Sequence, residues 1–574
     1  MSSIYDKKPW LKEYEPNVRP NIDIKYNNAL EMFQASLRRK PNSPCIGYFD
    51  DSLTYKQVDE ESSALAAAFV ELGLKPGGRV GMYLQNIPQW MITQLAAWKA
   101  GGIAVCLNPM LKERELIYHV KDSGLFILVC LESLYEEVVS KIRLEQVDIP
   151  VVVTTNELVY LSKRVPDMLK GVVPRKFPSC HDYSQLIKVH AGQSLPTPAL
   201  RLDDTAMLTY TSGTTGVPKG ACNTHRNIVF NGSSVTEWVH LGDKDIIMAP
   251  APLFHITGSI TGPAAGYASG CPVILFCRFD PSEFLRLIEH WKITYLVGAI
   301  TVFIAALSHP DIKKYNLSSV VKMYSGGAPV SPSIQKQVER AFGNKLYVAY
   351  GLTESTAPCT AVPHGAEAPV DPNYGALSIG VPTCNVDCRI VSAETGKEVP
   401  PGTPGELLIK GPQVVSGYWN KPEETSKAIK NGWLHTGDVA IIDSRGYLYI
   451  VDRIKDMIIA SGYKVYPREV EDVLYEHKAV KEAAVIGVPD PYRGETVKAF
   501  VALKDGARVS EQELIEFCKK RLAAYKYPRQ IEFLPEIPKT LSGKFLRREL
   551  RDLELKRHPK ASDNVPNGTI RSKA

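Results

Sequence analysis

Leu208-Thr-Tyr-Thr-Ser-Gly-Thr-Thr-Gly-Val-Pro-Lys-Gly220 packs four hydroxyl side chains (Thr211, Ser212, Thr214, Thr215), two glycines (Gly213, Gly216) and Lys219 into nine residues. Glycine lets consecutive backbone N–H groups turn inward, hydroxyls donate, and the ammonium offsets negative charge, so the stretch suits phosphate oxygens. The alternative is a polar surface turn. A Walker-type loop needs Gly before its Lys and Ser or Thr after it. Pro218 and Gly220 occupy those places, which excludes the P-loop reading.

Outward from this loop, helical and strand patterns alternate. Thr54–Leu72 and Pro88–Lys99 have helical character, and Arg79–Leu84, Gly102–Leu107, Leu125–Cys130 and Val151–Thr154 read as short buried strands. Continuous apolar strands between helices predict an α/β fold with parallel-rich sheets and crossover helices. After Val451 the pattern changes. Pro467–Glu476 reads as a helix, Ala483–Val488 and Val497–Leu503 as strands separated by a turn at Pro489–Tyr492, and Ser510 with Glu513 as a capping box. The expected organisation is a large multi-subdomain N-terminal domain over residues 1–451, a hinge over 452–456 and a small mobile α+β C-terminal domain over 457–555. Residues 556–574 read as a disordered tail.

A chain of 574 residues with 68 basic and 62 acidic side chains has no global charge that points to nucleic acid. Lys519–Ala574 holds 15 Lys and Arg against 6 Asp and Glu, an excess of 15 − 6 = 9 that suits a polyanionic ligand or a solvated basic end. Eleven scattered cysteines suggest reduced thiols in a cytoplasmic setting, and Cys384 with Cys388 lacks the second pair a zinc site needs. Ile246–Cys277 carries no Asp, Glu, Lys or Arg but holds four prolines, and Gly258, Gly262, Gly266 and Gly270 recur at every fourth position. Close helix–sheet packing fits this stretch better than a membrane span. Peripheral membrane contact and oligomeric state stay open.

The loop Thr211–Gly220 resembles the signature of the adenylate-forming superfamily, which includes acyl-CoA synthetases, firefly luciferase and peptide-synthetase adenylation domains. The resemblance continues in order through Pro252–His255, Ser325–Pro329, Tyr350–Glu354, Gly417–Asn420, Gly432–Asp438, Asp452–Asp456 and Pro538–Lys544. It implies carboxylate plus ATP giving acyl-AMP and pyrophosphate, then thiolysis by coenzyme A. Its partners are thus a small carboxylic acid, ATP and CoA, with Mg²⁺ on the phosphates.

Residue by residue, the resemblance makes Lys544 the catalytic lysine between carboxylate and α-phosphate, Thr353 an α-phosphate contact and Glu354 the Mg²⁺ residue. Tyr350 and Gly351 lie against adenine with Gly327, Ala328 and Pro329 along its edge, and Asp438 and Arg453 hold ribose or phosphate. His255 stands beside the acyl carboxylate, with Gly258, Thr301 and Gly326 expected around the acyl pocket. Phe254–Thr257 offers no carboxylate for an α-amino group, which disfavours an amino-acid substrate. Lys455 falls at the hinge, Ser461, Gly462 and Lys464 along the pantetheine path, and Lys519 near a CoA phosphate. The small domain looks most like that of long-chain fatty-acyl-CoA synthetases, so the resemblance implies a medium- or long-chain fatty acid as substrate. An aryl acid, or loading of a carrier protein, is the alternative.

Overall fold

The structure is a computed structural model that describes residues 3–145, 147–211, 218–453, 456–460, 463–490, 493–539 and 545–557. Two parallel-rich sheets form its body. The seven-stranded sheet runs His181–Asp182, Val151–Thr155, Ile127–Leu131, Arg79–Tyr83, Ile103–Cys106, Thr205–Thr211 and Lys219–Thr224, parallel except for the last, antiparallel pair. The nine-stranded sheet has Leu346–Leu352, Lys322–Ser325, Tyr295–Gly298 and Ile247–Met248 near its middle. Strands buried on both faces need no polar alternation, which is why Ile127–Leu131 and Val151–Thr155 are apolar or Thr/Cys throughout and wholly buried. The crossover helices begin where local chemistry dictates. Thr54 accepts from Gln57 N, and Gln57 answers at the Thr54 backbone to open the helix Tyr55–Glu71.

The glycine row lies in one continuous helical stretch, Ile256–Ser259, Ile260–Ala264 and Ala265–Ser269, whose middle turn is π-helical around Pro263. A Cβ at Gly262 would stand 3.2 Å from Ala249 Cβ, and one at Gly266 2.5 Å from Val273 Cγ2, so these glycines let the helix lie directly on the sheet. Gly270 ends the stretch at φ +82°. Among the described residues no helix is long and apolar enough to cross a membrane.

A third, antiparallel sheet holds Gly405–Lys410, Trp433–Ile442 and Leu448–Arg453. The fourth begins at Ile458 and belongs to the smaller C-terminal domain, built on the hairpin Val480–Asp490 with Gly494–Leu503 and the helices Pro467–Tyr475 and Glu511–Lys519. The hairpin outruns the expected turn, since Pro489 faces Glu495 and Asp490 faces Gly494 in register. Val480–Asp490 is an edge strand, where a proline costs no ladder bond on its open side. Arg468 ties the two domains: its guanidinium donates to the carbonyls of Ile450 at 2.8 Å and Val330 at 3.4 Å. Tyr466 beside it packs edge-on to Tyr374 and joins the large core.

Candidate active site

The antiparallel strands Thr205–Thr211 and Lys219–Thr224 keep register up to Thr211 facing Lys219, so the phosphate-loop sequence joins the ends of a hairpin. Ser212, Gly213, Thr214, Thr215 and Gly216 lie outside the described residues. The hairpin's base is braced. Tyr118 donates its hydroxyl to Pro218 O at 2.7 Å, and Tyr210 donates to Asp122, which also holds Lys421 at 2.9 Å. Lys219 Nζ lies 3.2 Å from Glu424 Oε2 and 4.6 Å from the centre of the Tyr418 ring.

Glu354 sits in the 3-10 turn Thr353–Ser355 that ends strand Leu346–Leu352. The turn reverses through two left-handed non-glycine residues, Thr356 at φ +50° and Ala357 at φ +71°. Such backbone costs on the order of 1–3 kcal/mol per residue and persists where neighbours over-determine it. Here they do: Asn223 donates to Thr356 Oγ1 at 3.0 Å, Asn231 donates to Thr356 O, and Val415 N donates to Glu354 O at 2.9 Å. Gly351 is required by the same reversal, because a Cβ there would meet Ala357 O at 2.1 Å. The Glu354 carboxylate accepts from the Tyr418 hydroxyl at 2.6 Å. Burial and that carboxylate raise the phenol's pKa far above its ordinary value, so Tyr418 stays a donor.

Tyr350 and Asp438 are brought together. The tyrosine hydroxyl donates to Asp438 Oδ2 at 2.6 Å, and Asp438 is 3% exposed on strand Trp433–Ile442. Arg453, last residue of Leu448–Arg453, stands opposite Asp438 in the backbone register. Gly327, at φ +78°, follows strand Lys322–Ser325, with Ala328 and Pro329 continuing the turn. Gly326 closes on strand Leu346–Leu352, where a Cβ would come 2.9 Å from Ala349 O.

A partly open cavity starts at Gly326, Gly327, Tyr350 and Gly351 and is apolar along most of its wall. Trp238, Val239, Tyr295, Val297 and Tyr324 line it, with Thr257 and Thr261 from the glycine-row helix. Gly326 is one of the residues that line it. His255, Gly258 and Thr301 are not among its lining residues. His255 caps the helix, its Nδ1 accepting from Thr257 N at 3.3 Å; Gly258 is pressed onto Pro252, whose carbonyl would stand 2.2 Å from a Cβ; Thr301 lies in the first turn of Ile300–Leu307. Trp238, Tyr295 and Tyr324 were not among the sequence candidates, because none of them sits in a motif that marks it out.

On the C-terminal side, Lys464 belongs to strand Tyr463–Val465, paired with Ile459. Lys519 ends the helix Glu511–Lys519 as an exposed side chain 3.3 Å from Glu516. Lys455, Ser461, Gly462 and Lys544 lie outside the described residues. Among the described residues no three His, Cys, Asp or Glu side chains gather as a metal cluster, and all eleven cysteines are unpaired.

The chain belongs to the AMP-binding enzyme family: residues 33–419 match the model of the AMP-binding enzyme, and residues 469–544 match that of its C-terminal domain. It is 37% identical over 562 residues to the long-chain-fatty-acid–CoA ligase of Bacillus subtilis (strain 168), covering 96% of this chain and 99% of that one. It is 35% identical over 517 residues to the feruloyl-CoA synthase of an Amycolatopsis species, covering 90% and 96%. Among solved structures, the anthranilate CoA ligase AuaEII in complex with anthranoyl-AMP superposes with a TM-score of 0.82 at 27% identity, covering 93% of this chain and 98% of that one.

Proposed function

We propose that the protein joins a long-chain fatty acid to coenzyme A at the expense of ATP. The general reaction, ATP-dependent ligation of a carboxylic acid to CoA, goes with the family; the acid and the residue roles are the proposal. The single observation that carries it is the mostly apolar cavity that opens beside Tyr350 and Gly351 and runs to Trp238 and Val239. A hydrocarbon chain gains about 0.8 kcal/mol per buried CH₂ in such surroundings, and among the described residues the walls offer no cation to a second carboxylate.

In the first half-reaction a carboxylate oxygen attacks the α-phosphorus, the bond to the β-phosphate oxygen breaks, and pyrophosphate leaves. Two anions meet in that step, so fixed donors and cations must offset charge where it develops. Lys219, Thr353, Lys544 and the hydroxyls of residues 211–215 have those roles. Asp438 and Tyr350 hold the nucleoside, a role supported by their shared 2.6 Å hydrogen bond. In the second half-reaction the CoA thiolate attacks the acyl carbonyl, the carbonyl carbon–oxygen bond to AMP breaks, and the thiol proton goes to solvent. Rotation of the small domain about Lys455 would exchange Lys544 for the pantetheine path at Ser461, Gly462 and Lys464, with Lys519 toward CoA phosphate.

Mg²⁺ fits Glu354. The cation binds through one or two carboxylates plus substrate phosphates and water rather than an all-protein cage, and Glu354 is a carboxylate with one oxygen, Oε1, engaged by Tyr418. When bound, the ion offsets phosphate charge. A cytoplasmic setting is supported by the eleven unpaired cysteines.

An aryl acid is the second reading, favoured by the tyrosines in the cavity wall and by the feruloyl-CoA synthase relative. Measuring kcat/KM for CoA ester formation with saturated acids of 6 to 18 carbons, as well as benzoate and ferulate, separates the two. A rise with chain length is expected. Preference for ferulate over every fatty acid would overturn the proposal and select the second reading.

A further inference from the structure

Tyr418 stands between two groups of the active site that arrive from distant parts of the chain. Its hydroxyl donates to Glu354 Oε1 at 2.6 Å, and its ring underlies the Lys219 ammonium at 4.6 Å. The side chain is 8% exposed and its backbone is fixed on both sides. Cys222 N donates to Gly417 O at 2.9 Å and Trp419 N to Gly220 O at 2.8 Å, so this segment lies along the strand that leaves the phosphate loop. Tyr418 N donates to Thr425 Oγ1, and Gly417, at φ +148°, brings the turn so close that a Cβ would stand 2.5 Å from Thr425 Cγ2.

A carboxylate on a freely rotating stem must be ordered before it can serve a cation, and that ordering costs side-chain entropy. The phenol removes this cost in advance by fixing Oε1, which leaves Oε2 as the oxygen to meet a cation. We propose that Tyr418 is a positioning residue that presets Glu354 for the divalent cation on the nucleotide phosphates, while its ring underlies the ammonium of Lys219, which pairs with Glu424. The inference rests on the reading of Glu354 as the metal contact.

The direct test is Mn²⁺ binding, followed by the electron paramagnetic resonance of free Mn²⁺, to the full-length protein with α,β-methylene-ATP. Tyr418→Phe keeps the ring and removes the donor. Loss of such an outer partner weakens metal affinity by roughly 10- to 100-fold, and the Mg²⁺ concentration for half-maximal pyrophosphate exchange should rise in step. The rate at saturating Mg²⁺ should change far less than the affinity. Tyr418→His, which returns a ring N–H, should bind Mn²⁺ more tightly than Tyr418→Phe, and it serves as a second folded variant. Glu354→Gln is titrated alongside. If Glu354→Gln loses Mn²⁺ while Tyr418→Phe and Tyr418→His bind it like the unaltered protein, the inference fails and the reading of Glu354 stands. If Glu354→Gln also binds normally, both are overturned.

Discussion

Asp438 is 3% exposed and accepts from Tyr350 at 2.6 Å, so an aromatic ring and a carboxylate form one rigid unit in front of the turn at Gly327. Removing the carboxylate takes one acceptor from the Tyr350 hydroxyl and the proposed partner from the ribose. Lost hydrogen bonds to a charged, buried group cost about 1.5–3 kcal/mol. Asp438→Ala should therefore raise the KM for ATP roughly 10- to 100-fold, with kcat changed less, in steady-state kinetics at fixed acid and CoA. Lys544→Ala addresses a different event. It should slow adenylation by at least ~100-fold, as removal of a transition-state charge stabiliser does, and largely spare thiolysis of supplied acyl-AMP; single-turnover assays of each half-reaction separate the two. Glu354, Tyr350 and Asp438 stood out as candidates in the sequence because each sits in a short run that matches a family motif, and the structure brings Tyr350 and Asp438 together. Tyr418 sits in such a run too, yet its role was not legible, since it comes from a contact with Glu354, 64 residues away. His255, which its motif puts beside the acyl carboxylate, has a local structural task as well, as the cap of the helix Ile256–Ser259.

Whole elements were easier to read than their ends. The helices Tyr55–Glu71, Pro88–Lys99 and Pro467–Tyr475 fall where periodicity and N-terminal signals place them. The hairpin past Val488 did not, because edge position is a property of the sheet and not of the residues Pro489 and Asp490. The helix Pro467–Tyr475 carries an unusual acid. Burial lifts the Asp472 carboxyl to about 7 against the pull of Arg468 at 3.6 Å, and Glu471, Glu476 and Glu469 push in the same direction as burial. Its folded pKa lies above the ordinary 3.8, so between those values the folded state holds a proton that the unfolded chain has released. This contribution to stability is complete below pH 3.8, falls as pH rises toward about 7, and is gone above it. Asp472→Asn should remove the trend. Urea midpoints of the two proteins at pH 5 and pH 8 check it: the unaltered protein should lose more stability over that interval than the variant, and equal losses would refute the assignment.

For the molecule as a whole, the two-domain order was legible from the break in pattern after Val451, whereas the way the domains meet was not, because Arg468 reaches backbone carbonyls that no side-chain pattern encodes. Lys455 tests the proposed rotation. Proline fixes φ near −65° and removes a donor, so Lys455→Pro should leave pyrophosphate exchange nearly intact and slow CoA transfer to preformed acyl-AMP. Normal transfer in that variant would remove the residue from the mechanism. One arginine then acquires a meaning in time. A swing of the small domain that withdraws the Arg468 guanidinium must release Ile450 and Val330 together, and Val330 directly follows the turn proposed to edge the adenine. If the proposed rotation occurs, the guanidinium would be a catch, two hydrogen bonds that must break before thiol can reach a mixed anhydride waiting in the pocket.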